Sequence, residues 1–524
     1  MFDDAAVVTT EGLEALVSTL SRIGSDVPEM SDQVLIDQLA VLERVKSAVA
    51  AAQVRVTAAF VDSQEQVAQA WSQRARECSD AGDFDGWRAA RDQARAASFA
   101  DEDSPGRERS GAETGDGGAG SRRRRRPSGM TGVAAQVALA RYESPVQGAG
   151  HVRLALALTT DLPHTLAALE AGELSEWRAQ IIVRETATLS GEGRRLVDAE
   201  VVTDPAHPVA GLGDRELARR VRAVAYRIDA ASVMARAAKA ESDRRVTLRP
   251  APDTMAYLTA LLPVAQAVAA HAALTAAADT ARAAGDERGK GQVMADTLVQ
   301  RVTGQDASDL VPVEIQLVMT DQALLAGDET PAQLTGYGPV PAAWVRDLLT
   351  RLHHATGSAT ESATEPDSGA REVGVWLRRL FTHPDTGTLI AMDSTRRTFE
   401  GGLRRYLLTR DAATCRTPWC DAPARHLDHT HGGPTTDTNG QALCVRCNHT
   451  KQLPGFTATT INDSAPGQQP GAPHTVRTTT PTGHTYTSHA PPLLPGLLPE
   501  QPQGPAEPVP LSLFERSLAL ALAA

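Results

Sequence analysis

Four of the chain's five cysteines fall in one short stretch, as Cys415-Arg-Thr-Pro-Trp-Cys420 and Cys444-Val-Arg-Cys447. The spacings C-x4-C and C-x2-C let two short loops close a tetrahedral thiolate site. The same thiols could form two disulfides, but nothing at the N-terminus suggests export, and a C-x2-C pair on a tight turn suits a metal better. A tetrathiolate site leaves no open position for water or substrate, so zinc there would be structural. It would hold together a segment of about 40 residues with too little apolar content to fold alone. Any chemistry has to lie between the two cysteine pairs.

Between and just beyond them lie Asp428-His429, a turn at Gly432-Gly433, Asn439, Asn448 and Lys451. Phosphodiester hydrolysis needs a base to activate water, a hard cation to neutralise charge developing on the phosphate, and a cation near the leaving oxygen. Oxygen ligands from Asp428 and Asn448 suit Mg2+ or Mn2+ rather than zinc, and imidazole is the side-chain type best suited to a general base near neutrality, a role open to His429.

Taken in order, His426-Leu-Asp428-His429, the Gly-Gly pair, Asn439 and Cys444-Val-Arg-Cys447-Asn448 to Lys451 resemble the HNH nucleases of ββα-metal type. The resemblance implies that His429 is the general base and Asp428 a ligand of the catalytic metal, both at the end of a short first strand. It implies that Asn439 ties the loop and holds the base, and that Asn448 completes the metal site from a helix. Lys451, one turn beyond Asn448, would face the same way and meet phosphate. His449 directly follows Asn448 and is an alternative ligand, although the Asn-x2-Lys register favours Asn448. Only Thr430 and His431 separate His429 from Gly432, a shorter loop than the Pro-containing one of many relatives. A degenerate motif would keep the zinc site and bind nucleic acid, or act as a scaffold, without cutting.

The rest of the 524 residues reads as platform, linker and tail. With 42% hydrophobic but only 4% aromatic residues, the cores must be aliphatic and Ala-rich, which favours helices. The fold class expected is mainly α: an Ala-rich helical domain with a small β element, then a small zinc-stabilised ββα-metal module and a disordered tail. Boundaries follow composition. An N-terminal segment (1–30) precedes the first part of the helical domain (31–100), where Leu35, Leu39, Leu42, Val45, Val49, Val56 and Phe60 keep helical spacing after Ser31-Asp32. A Gly- and Ser-rich linker (101–130) ends in Arg122 to Arg126, which could bind phosphates or be a solvated spacer. The helical domain resumes over 131–355. There Gly172 ends a helix from Leu162 and Ser175 caps the next, an αα-hairpin rather than a DNA-reading motif. Val313 to Met319 alternates as a strand, and Met255 to Ala278 reads as a buried helix, not a membrane span. A linker (356–372), the nuclease module (373–456) and a Pro- and Thr-rich tail (457–524) follow, with a short amphipathic helix expected over Leu511 to Ala524.

Three runs of this helical region, Leu162 to Ser175, Gly291 to Val299 and Gly336 to Pro341, resemble the helical domain that precedes the HNH module in the actinobacterial 13E12-repeat proteins. That resemblance implies no activity for the domain. The net charge of -12 argues against general nucleic-acid binding, so contact with DNA has to be local. From Ala391 to Phe456 eight arginines and one lysine face six carboxylates, a net of +3, with Arg404, Arg405, Arg446 and Lys451 as phosphate contacts. The N-terminus, Met1-Phe-Asp-Asp, has no basic and apolar leader, so the expected compartment is the cytoplasm, with DNA as partner and no membrane. RNA is a further candidate substrate, because such a site meets a phosphodiester and does not itself read the sugar.

Overall fold

A computed structural model describes residues 9–22, 31–97, 129–304, 317–320, 322–361, 399, 401–461 and 473–492. Its contacts form two compact units, Met1–Asp62 with His151–Arg236, and Ser63–Gly150 with Ala237–Ala524. The helical domain read from sequence is therefore not one body. Its segment 129–150 groups with the cysteine-bearing part of the chain.

In the first unit, α1 (Thr10–Leu20) starts at Thr9, whose hydroxyl accepts the Gly12 N–H at 3.2 Å. Helix α2 (Asp32–Asp80) runs for 49 residues with neither Gly nor Pro to interrupt it. The expected stripe is buried only in part: Leu35, Leu42, Val45 and Phe60 are half-buried and Leu39, Val49 and Val56 exposed, while Ser47, Ala50, Ala51, Val54, Ala58 and Val61 are buried. Small side chains let neighbouring helices approach closely, and that packing outweighs the pull of the larger aliphatics. Helices α3 (Phe84–Ala97) and α4 (Gly129–Ala140) belong to the second unit. The first resumes with α5 (Pro145–Thr160), α6 (Pro163–Glu170), α7 (Glu176–Thr186), α8 (Gly191–Val202) and α9 (Asp214–Ile228). Ala50, Val54 and Ala58 of α2 share one core with Leu158, Leu169, Ile182, Val197 and Leu217. Each fully buried Leu or Ile there contributes roughly 1.5–3 kcal/mol.

Helix α6 has no local side-chain cap. Asp198 of α8 accepts the N–H groups of His164 at 2.7 Å and Thr165 at 2.9 Å instead. Gly172 lies at φ +76°, and a Cβ there would stand 2.7 Å from that of Arg44, so both conformation and space require glycine. Ser175 caps α7 as expected, accepting the Arg178 N–H at 3.4 Å.

Helix α10 (Ala230–Ser242) leads to an antiparallel hairpin, β1 (Arg245–Pro250) with β2 (Ala256–Leu261). Here the expectation of a buried helix over Met255 to Ala278 fails. Its first part is β2, α11 (Val264–Ala283) begins only after Pro263, and within that helix Ala278 alone is buried. Tyr257 and Thr259 favour a strand, and Pro263 lacks the N–H a continuing helix would need. Helix α12 (Lys290–Thr303) ends at Gly304, φ +73°. A three-stranded sheet of β3 (Leu317–Val318), β4 (Ala332–Leu334) and β5 (Gly338–Val340) packs on α13 (Ala342–Glu361) through Val345, Ala332 and Val340. Of the strand expected over Val313 to Met319, the part before residue 317 lies outside the described residues. Helix α13 occupies the start of the expected linker from 356. Among the described residues no helix is long and apolar enough to cross a membrane.

The cysteine segment follows as α14 (Gly401–Arg410), β6 (His426–His429), β7 (Gly440–Leu443) and α15 (Val445–Lys451). Beyond it the expectation of a disordered tail from 457 is overturned in part. Strands β8 (Thr457–Ile461), β9 (Thr475–Thr479) and β10 (Thr485–His489) form an antiparallel sheet in the order β10-β9-β8. Threonine is β-branched, so a Thr-rich stretch that looks low in complexity is a good strand former. The Arg122–Arg126 run, 362–372, Val375 to Leu380, Thr388 to Met392 and Leu511 to Ala524 lie outside the described residues.

The tail strands are tied to the cysteine loop by Arg416, whose buried guanidinium donates to His474 O at 3.0 Å, Ser488 O at 2.9 Å and Ser488 Oγ at 3.2 Å. Truncation after Ile461 removes those acceptors together with the strands that cover Arg416, and is expected to destabilise the cysteine segment by roughly 0.5–1.5 kcal/mol for each lost hydrogen bond. Thermal melting with metal analysis checks this: an unchanged transition and an unchanged metal content would count against it. His474 gives a second test. Burial, then the charge of Arg410, pushes its imidazole down to about 3, and its Nε2 lies 2.9 Å from Thr438 O. The unfolded chain binds this proton below about 6.5 and the folded one only below about 3, so stability should fall as pH drops through that window. His474→Gln should flatten that part of the melting-temperature profile.

Candidate functional site

The four cysteines converge because two tight backbone features present them. Cys415 and Cys420 sit in a loop closed by the Cys415 N–H to Ala422 O bond at 3.0 Å and the Cys420 N–H to Thr417 O bond at 3.0 Å, with Trp419 at φ +58° between them. Cys444 is the N-cap of α15, its Sγ accepting the Cys447 N–H at 3.4 Å. All four sulfurs lie within 4.8 Å of one another, with Cys420 Sγ 3.9 Å from Cys444 Sγ and 3.7 Å from Cys447 Sγ. A tetrahedron with Zn–S of about 2.3 Å has edges of about 3.8 Å, so the cluster could hold a metal ion such as zinc. All four are buried. Hydrogen bonds among the four sulfurs hold the Cys415 and Cys444 thiols below their ordinary range and push Cys420 and Cys447 above it, the sharing of protons expected of a close thiol cluster.

Beneath this cluster Asp411 is fully buried and binds Arg410 at 2.9 and 3.0 Å, Arg416 at 3.1 Å and the Ala442 N–H at 2.9 Å. Burial alone would raise its carboxyl. The two guanidinium groups, Arg410 before Arg416, outweigh this and hold it below the usual carboxylate range. Arg410 also donates to Asp437 O at 2.6 Å and Gly440 O at 2.7 Å.

Strand β6 pairs with β7 from His426↔Leu443 to His429↔Gly440, and its alternation sorts the polar side chains. Leu427 packs on Phe399, Leu403 and Leu407, and the His429 ring lies 4.8 Å from that of Phe399. His426 and Asp428 point the other way, to α15: His426 Nδ1 lies 2.9 Å from Asn448 Nδ2, and Asp428 Oδ2 lies 2.7 Å from Lys451 Nζ. Lys451 also donates to His429 O. It is thus engaged with the carboxylate rather than standing free for phosphate, as the sequence led us to expect. His429 Nδ1 is 4.0 Å from Asp428 Oδ1, and its Nε2 is 2.9 Å from Thr435 Oγ1.

Asn439 ties the loop between the strands. Its Oδ1 accepts the His431 N–H at 3.2 Å, its Nδ2 donates to His431 O at 3.2 Å and Pro434 O at 2.9 Å, and its carbonyl accepts the Thr430 N–H at 2.7 Å. Asn448 is buried and its Oδ1 has no hydrogen-bond partner. An orphaned amide oxygen on α15, the helix whose Lys451 meets the Asp428 carboxylate, is a donor of the type that suits a hard cation. The ring of His449, the alternative ligand, lies 6.3 Å from that of His426. Arg404 and Arg405 are exposed on α14, and Arg446 donates to Pro145 O at 3.0 Å.

Sequence reading assigned no role to His426, Thr435 or Gly440. A Cβ on Gly440 would lie 2.6 Å from Leu407 and 2.7 Å from Phe399, so glycine lets β7 approach α14. His426 was legible in principle, because a residue two before Asp428 on a strand shares its face. Thr435 carries no such signal.

The model for a domain of unknown function, DUF222, matches residues 88–372. No curated protein and no solved structure matches the chain. The matched region ends before the first of the clustered cysteines.

The cysteine cluster predicts one zinc per chain. Cys444→Ser should release it and unfold the segment around 401–461 while sparing the first helical unit, because zinc binding is worth on the order of 10 kcal/mol to small folds of this kind. Elemental analysis finding no zinc in wild-type protein would refute this.

Proposed function

The chain belongs to the family defined by the domain of unknown function DUF222, and we propose that this member is a metal-dependent endonuclease of HNH type, hydrolysing DNA phosphodiester bonds, with a structural zinc on its four cysteines. The observation that carries this reading is the strand pair and helix: β6 presents His426 to Asn448 and Asp428 to Lys451 of α15, and carries His429 next to Asp428 on its other face, beside the cysteine-closed start of α15. Four cysteines kept as thiols for a metal suit a reducing compartment, and this reading places the protein in the cytoplasm.

In this reading His429 is the general base. Donation of Nε2–H to Thr435 leaves the Nδ1 lone pair to take a proton from water, and the ring is braced by Phe399. Asn439 keeps the loop that carries Thr435 closed over the base. Asp428 and Asn448 would hold Mg2+ or Mn2+, which supplies charge neutralisation at the phosphate. Arg404 and Arg405 present exposed cations on α14 for the flanking backbone. Lys451 is close enough to shift from Asp428 to a phosphate oxygen as substrate arrives.

One observation favours a second reading. The Asp428–Lys451 pair already neutralises the carboxylate without a metal, as a site that binds nucleic acid but no longer cuts it would do. His429→Ala separates the two. Cleavage of plasmid DNA in Mn2+ or Mg2+ should fall about 100-fold or more, the usual contribution of a general base, with zinc content and DNA affinity little changed. Equal cutting by wild type and variant, or none by either, would leave the binding protein as the better account.

A further inference from the structure

We propose that His426 is a positioning residue for the cation site: it selects the orientation of the Asn448 amide, so that the oxygen and not the nitrogen faces the ion. This rests on the reading of Asp428 and Asn448 as the pair that holds a divalent cation. Asn448 Nδ2 and His426 Nδ1 lie 2.9 Å apart. An amide nitrogen only donates, so the imidazole nitrogen has to accept, and its ring proton sits on Nε2. With Nδ2 committed to His426, Oδ1 is turned away from it, buried and without a partner. A flipped amide would require the other His426 tautomer, with Nδ1–H donating to Oδ1, and would leave a buried N–H₂ in the place of the orphaned oxygen, where it would repel a cation.

The backbone makes this arrangement specific. His426 and Asp428 are two apart on β6 and so share a face. Asn448 and Lys451 are three apart on α15 and share the face opposite. The four side chains meet as two cross-element pairs, His426 with Asn448 and Asp428 with Lys451. In the first pair the polar atom left over is an oxygen, and in the second the carboxylate can exchange an ammonium for a metal. His426 thereby acts on the site without itself being a ligand.

Mn2+ binding to full-length, zinc-loaded protein, read by the electron paramagnetic resonance of free Mn2+, tests this independently of cleavage. His426→Leu should weaken binding about 10- to 100-fold, as loss of a supporting hydrogen bond around a ligand does, with zinc content unchanged. His426→Gln, whose carbonyl oxygen can still accept from Nδ2, should recover most of it. If His426→Leu does not fold, His426→Gln and His426→Met carry the same comparison. Wild-type affinity in the non-accepting variant would overturn the proposal, as would wild-type protein whose Mn2+ binding does not respond to Asn448→Ala. Binding that depends on both Asn448 and His426 in a protein that cuts no DNA would uphold it while refuting the nuclease.

Discussion

One buried carboxylate holds the candidate site together. Asp411 has no exposed side-chain surface, and it binds the last residue of α14, the residue after the first cysteine and the backbone of β7. Its two arginines pass the connection on. Arg410 reaches the Asp437 and Gly440 carbonyls on either side of Asn439, and Arg416 reaches the tail strands through His474 and Ser488. Two guanidinium groups on one carboxylate would be costly to bury alone. Here the surplus positive charge is spread over carbonyl oxygens, which is what makes such a cluster tolerable and its geometry specific.

That framework lets a small segment present opposed chemistry on the two faces of one four-residue strand. The face toward α14 carries Leu427 and His429 against Phe399, which keeps the imidazole in a partly apolar setting. The face toward α15 carries His426 and Asp428 among polar partners. A one-residue slip of β6 against β7 would exchange the two sets, so the fit of Gly440 beneath Leu407 and Phe399 matters as much as the polar groups themselves.

The first unit follows other rules. Its core is built from Ala, Val and Leu on short helices, and where a helix start lacks a local cap, a distant residue supplies one. Burial raises the Asp198 carboxyl, while the hydroxyl and N–H of Thr165 and the N–H of His164 hold it ready as an acceptor for α6. No cluster of metal-ligating side chains is present among the described residues of this unit.

The amino-acid sequence by itself determined the two cysteine pairs of the cluster, because C-x4-C and C-x2-C are local patterns whose geometry follows from short loops and a helix N-cap. It likewise determined the caps at Ser175 and the turn at Gly172, since each depends on a neighbour three or four residues away at most. Tertiary structure alone decided which face of α2 is buried, because that depends on how closely other helices approach rather than on the size of the side chains in α2. It decided that Lys451 rests on Asp428, that α4 packs Ala135 against Leu453 and Phe456, and that a Thr-rich tail forms a sheet. Those contacts join residues far apart in the chain, Arg416 and Ser488 being 72 positions apart, and their energy comes from burying apolar and polar groups against partners that no local pattern announces.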